Sequence, residues 1–285
     1  MLLADALADE HEELRLAARQ GAAGAAQATI PERFGGAGLG VVEAAVLAEE
    51  LGRVLSPLPL ISTAMAVEAL EGGDDVEWLP RIAQGEVRAT LVVDPRRVLD
   101  PDADVLVVGT RAVRAEVTRL PTLDPTRPLG SVALEAEPAP PRAVDIGRVL
   151  LAAELLGVAD RSLELAVDHA KTRVQFGRPI GSFQAIKHTL AETLARVESA
   201  RSASRWAAWV ADHSPGELTL AAAMALSVCG EVATRAAGDA LQVFGGIGFT
   251  WEHPIGGYFK RARAGSTLLG TPGELRAVVA GRIGT

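Results

Sequence analysis

Within RVQFGRPIGSFQAIKH, from Arg173 to His188, a cation, an aromatic and an amide stand close together at the entrance of a helix. Their chemistry suits a nucleotide. The Arg173 guanidinium can fork onto a phosphate or pyrophosphate, Phe176 can lie against a flat ring or a sugar, and Gln184 offers both a donor and an acceptor. The same stretch also suits a plain helix–loop–helix corner, in which Gly177 and Pro179 end one helix and Ser182 caps the next.

A second stretch, QVFGGIGFTWEHP from Gln242 to Pro254, tips the balance toward the ligand. Together the two resemble the carboxy-terminal helical domain of the flavin-dependent acyl-CoA dehydrogenases. In that family the Arg-x-x-Phe-Gly stretch with its following Gln, and the Gln-x-x-Gly-Gly-x-Gly stretch, grip the adenosine and pyrophosphate half of an FAD bound mainly to a neighbouring subunit. The resemblance thereby implies FAD-binding roles for Arg173, Phe176, Gln184, Gln242, Gly245 and Gly246. It continues through IPERFGGAGLG (30–40), AEELGRVLSPLPL (48–60), RIAQGEVRATLVV (81–93) and PTLDPTRPLGSVAL (121–134). The last two resemble the entrance and exit of the family's middle β-domain, and too little chain lies between them for the whole of it.

Periodicity supplies the elements that must hold these residues. Helices are expected over about 2–27, 40–54, 61–70 and 78–84, with Pro57 and Pro59 breaking the chain after the second. From Ala89 to about Glu137 the pattern shifts to short β-branched runs, TLVV, DVLVVG, RAVRAEVTRL and GSVALEA, which predict four or so strands. Beyond them Val149, Ala152, Leu156, Ala159, Leu163, Ala166 and Ala170 form an apolar seam along one helix. Ile186, Leu190, Leu194, Val197 and Ala200 mark the next, where Arg201 and Arg205 read as solvated. A third helix, over about 217–244, is apolar nearly all round and predicts burial by its own bundle and by a partner. A last helix lies near 274–283. The expected fold is mainly α and acyl-CoA dehydrogenase-like. It has an N-terminal helical domain (1–88), a strongly reduced β-domain (89–141) and a C-terminal four-helix bundle (142–285).

Dehydrogenating an acyl-CoA thioester between its α and β carbons requires a base for the α-proton, usually a carboxylate, while the β-hydride passes to flavin. The family's glutamate most often precedes the Gly-Thr of a segment matched here by STLLGTPGEL, at Leu269. Some members place it instead early in the first helix of the carboxy-terminal domain, matched here at Gly147. Neither residue accepts a proton, so no catalytic base is assigned. Glu154, two helical turns beyond Gly147, is the remaining carboxylate in that neighbourhood, with an alternative role at a subunit or domain contact. Glu252 and Glu274 read as turn and helix-cap residues.

Composition narrows the rest. A chain of 285 residues, 48% of them apolar, can bury a full core, and scarce aromatics favour small side chains between closely approaching helices. A net charge of −8 without a basic block argues against nucleic acid. Cys229 reads as a buried hydrophobe, and five scattered histidines, His188 and His253 among them, show no metal-ligand spacing. An acidic amino terminus, with no apolar run approaching the roughly 20 residues that cross a bilayer, predicts a cytoplasmic protein.

The resemblance implies a degenerate subunit of a heteromeric acyl-CoA dehydrogenase, a heterotetramer in which this chain grips FAD shared with a full-length partner. It further implies an acyl-CoA substrate, an electron-transfer-flavoprotein-type acceptor and a place in the breakdown of steroid or other bulky acyl-CoA side chains. Two alternatives remain open: a self-sufficient homo-oligomeric dehydrogenase with a relocated base, and a flavin-free scaffold.

Overall fold

The computed structural model describes residues 28–135, 137–250 and 253–284. The helix expected over 2–27 and the turn residue Glu252 lie outside them. The described chain runs through helices α1 (Val41–Arg53), α2 (Leu60–Glu71) and α3 (Trp78–Ala83) into six short strands. It ends in α4 (Pro141–Thr172), α5 (Gln184–His213), α6 (Leu218–Phe244), α7 (Ile255–Gly265) and α8 (Pro272–Ile283).

Every residue of the seam from Val149 to Ala170 is buried, which makes α4 the axis of the core. Of the five apolar positions expected on α5, Val197 and Ala200 are buried, Ile186 and Leu190 are half-buried, and Leu194 is half exposed. The span Pro215–Phe249 is long and apolar enough to cross a membrane by length and composition, contrary to expectation. Its apolarity is alanine- and glycine-rich, and Leu218, Leu226, Val232 and Phe244 are buried inside the bundle. Cys229 is buried there too, its Sγ 3.5 Å from the Ala200 carbonyl, and burial pushes its thiol up to about 12.

Helices α1 and α4 meet backbone to backbone through two glycines. A Cβ on Gly52 would sit 2.0 Å from the Glu154 carbonyl oxygen, and one on Gly157 would sit 1.9 Å from that of Glu49. Gly157→Ala must push the helices apart and is expected to cost about 1–3 kcal/mol by overpacking, read as a lower denaturant midpoint. Arg201 is not solvated as expected. It crosses the same junction to Glu49 at 2.6 Å and Asp160 at 2.9 Å, while Arg205 is exposed.

The start of α1 is capped from a distance. Asp212, near the end of α5, accepts from the amides of Val41 (2.9 Å) and Val42 (3.0 Å), two donors that no residue of the α1 turn itself satisfies. Asp212→Ala is expected to cost about 1 kcal/mol, the usual worth of an N-cap, measured by chemical denaturation.

The β-region holds six strands in two three-stranded sheets. β1 (Ala89–Leu91) pairs in parallel with β3 (Val105–Val108), which pairs antiparallel with β4 (Arg111–Val113). β2 (Val98–Leu99) and β5 (Val117–Leu120) flank β6 (Leu129–Val132), both antiparallel. RAVRAEVTRL, read from sequence as one strand, divides into β4 and β5 on different sheets. β2 is too short for alternation to reveal. β1 and β3 are wholly buried, so the sheet they share does not stand apart from the helices.

Candidate functional site: a nucleotide-gripping face and a closed base position

Arg173 follows the last turn of α4 in extended backbone and opens a hairpin, β7 (Val174–Gln175) against β8 (Arg178–Pro179). Its two-residue turn, Phe176–Gly177, has positive φ at both positions, +52° and +75°, as a type I′ turn demands. Glycine adopts that conformation freely, whereas phenylalanine is strained in it. The strained ring is 91% exposed, touching Phe183 edge-on at 6.1 Å, while Arg178 lies 4.2 Å over the Phe183 ring. Gly177 and Pro179 therefore build a hairpin and do not end a helix. Phe183, not Ser182, precedes α5, and the buried Ser182 Oγ has no hydrogen-bond partner. Gln184 is exposed at the first position of α5.

Gln242 is exposed in the last turn of α6, and Gly245 (φ +64°) and Gly246 turn the chain away from the helix end. A Cβ at either glycine would meet nothing within 4 Å, so this backbone is open to close approach. Three rings join the two segments. His169, in the last turn of α4, packs on Phe244 at 4.4 Å, and Phe244 packs on His253 at 4.0 Å. The hairpin, the start of α5 and the end of α6 thus share one end of the bundle. Burial first, then the Arg173 and His253 charges, hold His169 below the ordinary histidine range. Sequence reasoning passed over His169, although its place one turn before Arg173 was the available signal.

Arg173 makes no ion pair among the described residues. A free guanidinium, an upright exposed ring, two amides, an open glycine backbone and one orphaned hydroxyl fit the nucleotide half of FAD. Gln242 also borders an open cleft of about 700 Å³ that runs past Phe249 and His253 to Lys260.

The two positions at which the family carries its base converge in space. A Cβ on Gly147 would lie 2.3 Å from Met65 Sδ and 3.0 Å from Leu269 Cδ1. Leu269 is buried, and its carbonyl accepts from Arg148 Nε at 2.9 Å. Arg148 also donates to Asp145 at 2.8 Å, and Thr219 to the other oxygen of Asp145 at 2.7 Å. The place is filled by a leucine, a methionine and the absence of a side chain. Glu274 instead closes a capping box with Thr271 at the start of α8, as read from sequence.

Glu154 is no free base either. Its carboxylate is gripped by Arg127 and, at 2.9 Å, by Arg261 Nη1. Arg261, 1% exposed, also binds Asp124 at 2.5 Å, the Thr126 hydroxyl at 2.7 Å and the Ser56 carbonyl at 3.1 Å. Burial raises the Glu154 carboxyl, but the charges of Arg127 and Arg261 outweigh it and hold the group below the ordinary glutamate range. A carboxylate held anionic between two guanidiniums is a weak proton acceptor, and both its oxygens are occupied. Among the described residues no cluster of histidine, cysteine or acid could hold a metal.

Comparison with known proteins agrees with this geometry. Residues 3–86 match the profile of the acyl-CoA dehydrogenase N-terminal domain, and residues 141–284 that of the acyl-CoA dehydrogenase C-terminal domain. Acyl-CoA dehydrogenase IpdE2 of Mycobacterium tuberculosis is 41% identical over 263 residues, covering 88% of this chain and 81% of that protein. Its counterpart in Mycolicibacterium smegmatis is 40% identical, with shares of 88% and 82%. A chain of the Tcur3481–Tcur3483 steroid acyl-CoA dehydrogenase variant superposes with a TM-score of 0.84 at 25% identity, over 98% of this chain and all of that one. A chain of the ChsE4–ChsE5 complex from Mycobacterium tuberculosis gives 0.81 at 26%, over 96% and 88%. The chain belongs to the acyl-CoA dehydrogenase family of flavin-dependent oxidoreductases.

Proposed function

We propose that the chain is the non-catalytic subunit of a heteromeric acyl-CoA dehydrogenase, gripping the nucleotide half of an FAD whose flavin half and catalytic base belong to a partner subunit. The observation that carries this reading is a contrast within one fold. Arg173, Phe176, Gln184 and Gln242 stand exposed, while both positions matched to the family's base are closed by Met65, Leu269 and Gly147. Arg173 would neutralise the pyrophosphate, Phe176 would stack on the adenosine, and Gln184, Gln242 and the Gly245–Gly246 backbone would supply hydrogen bonds. FAD, when bound, supplies the hydride acceptor; the proton is taken by a carboxylate of the partner.

The printed names of two structural relatives support the wider setting, one a steroid acyl-CoA dehydrogenase and one a complex of two different chains. The substrate proposed is accordingly the CoA thioester of a steroid or similarly bulky acid, with an electron-transfer-flavoprotein-type acceptor. The test is to isolate the chain alone and with its co-purifying partner, then record flavin absorbance and enoyl-CoA formation. Flavin and turnover are expected in the complex and not in the lone chain. Stoichiometric flavin with full activity in the lone chain defeats the reading. Loss of that activity in Glu154→Gln with folding intact would establish a self-sufficient enzyme. An assembly that neither flavin nor a partner alters would establish a scaffold.

A further inference from the structure

The backbone of Gly245 and Gly246 is placed by Phe244, which ends α6 directly before them. A Cβ on Gly248 would lie 3.0 Å from the Phe244 Cβ, so the glycine turn folds back on this residue. Two imidazoles complete the corner. His169 meets the Phe244 ring at 4.4 Å, and His253 meets it at 4.0 Å. His253 has a second task. Its Nδ1 accepts from the Ile255 amide at 3.2 Å, which caps the first turn of α7, where Pro254 offers no side-chain cap.

That hydrogen bond exists only while His253 Nδ1 keeps its lone pair. A protonated ring turns an N–H toward the Ile255 N–H and sets a positive charge at the N-terminus of α7, where the helix dipole disfavours it. A charged His169 adds a second cation beside the same phenyl ring and beside Arg173. The surroundings offer little compensation. Arg173 and Lys260 are the neighbouring cations; of the neighbouring acids, Asp168 is exposed beside Lys171 at 3.9 Å, and Asp124 is bound by Arg261. No carboxylate pairs with either imidazole among the described residues. Burial holds both imidazoles below the ordinary histidine range, aided at His169 by the Arg173 and His253 charges. Above that range both rings are neutral and the corner is intact. As pH falls through it, protons bind more readily to an opened corner than to the closed one. Arg261 fixes the middle of α7 in the core, so the first turn of α7 and the glycine turn before it are what give way.

We propose that His169 and His253 are positioning residues for the nucleotide half of FAD: as neutral rings they hold Gln242 and the Gly245–Gly246 backbone against the Arg173 hairpin, and acid releases the cofactor. The proposal rests on the FAD-gripping role proposed above and adds its regulation by protons.

The test is flavin release from the assembled enzyme on dilution, followed by FAD fluorescence from about pH 8 to about pH 5, across the range in which an imidazole charges. Wild type should hold FAD at least about fivefold more weakly at the acid end. His253→Asn keeps an oxygen that accepts from the Ile255 amide but does not titrate. It should hold FAD as wild type does at the alkaline end and lose most of the acid release. Adding His169→Phe, which keeps a ring on Phe244, should flatten the profile. His253→Ala removes the acceptor and should weaken retention at every pH. Should the double variant not fold, His169→Phe alone leaves the α7 cap in place and should reduce the acid release. Equal or tighter FAD retention in acid, or an acid release that survives the histidine substitutions, would overturn the proposal. Arg173→Ala, read in parallel, separates the two readings. Unchanged FAD retention there removes the FAD-gripping role and this proposal with it, whereas weakened retention with an unmoved pH response in the histidine variants removes the histidines alone.

Discussion

Arg261→Met is expected to lower the unfolding free energy by about 3–5 kcal/mol, the cost of leaving buried carboxylates without their cation. For a chain of this size that is roughly a 10 °C fall in Tm. Arg261 is the hub on which Asp124 from the segment before β6, Glu154 from α4, and the Ser56 and Thr126 carbonyls converge. Methionine matches much of its length but none of its donors. Glu154 then keeps only Arg127, and Asp124 keeps only the Thr126 amide and hydroxyl.

The pH profile separates this cluster from simple packing. Because the folded-state pKa of Glu154 lies below its ordinary value, its stabilising contribution is fully present above that ordinary value and disappears as pH falls through the lowered one. Arg261→Met removes one of the two charges responsible, so Glu154 is depressed less and the stability gap between variant and wild type should narrow as pH falls through the acid range. A gap that stays constant across the acid range would reduce Arg261 to a space-filler.

The second large effect is expected on the cofactor. In the assembled enzyme Arg173→Ala should weaken FAD retention by about 1–3 kcal/mol, from loss of a charge-assisted contact. Phe176→Gly makes a sharper experiment. It removes the exposed ring and at the same time relieves a left-handed backbone conformation that disfavours any residue with a Cβ. FAD retention should fall while thermal stability without FAD holds or rises, measured by flavin release on dilution and by calorimetry of the apoprotein. Unchanged FAD retention in both variants would remove the hairpin from the site.

Much of the fold could be read in the chain because its helices repeat a 3.6-residue pattern over many turns. Pro57 and Pro59 fixed the break between α1 and α2, and the Val149–Ala170 seam marked the central helix. The β-region was less legible. A two-residue strand such as β2 has no period to detect, and β4 and β5 differ in the sheet they join, a matter of long-range pairing. The all-round apolarity of α6 predicts burial by its own bundle, which the structure shows, and by a partner; its length as a membrane-capable run escapes notice because alanine and glycine contribute so much of it.

Side-chain chemistry set the functional outline before any folding was considered. Arg173, Phe176, Gln184 and Gln242 have the groups that hold a nucleotide, and Leu269 and Gly147 have no atom that accepts a proton. What the tertiary structure decided was where those groups stand. It raised Phe176 on a strained turn and joined the 173–184 and 242–246 segments through His169, Phe244 and His253. It also brought Gly147 and Leu269 into one closed place and locked Glu154 between Arg127 and Arg261. Each of these is a contact between groups distant in the chain or a backbone conformation imposed by packing. Local sequence carries the identity of such groups, and only the packed core determines their distance, their burial and whether a charge meets its partner.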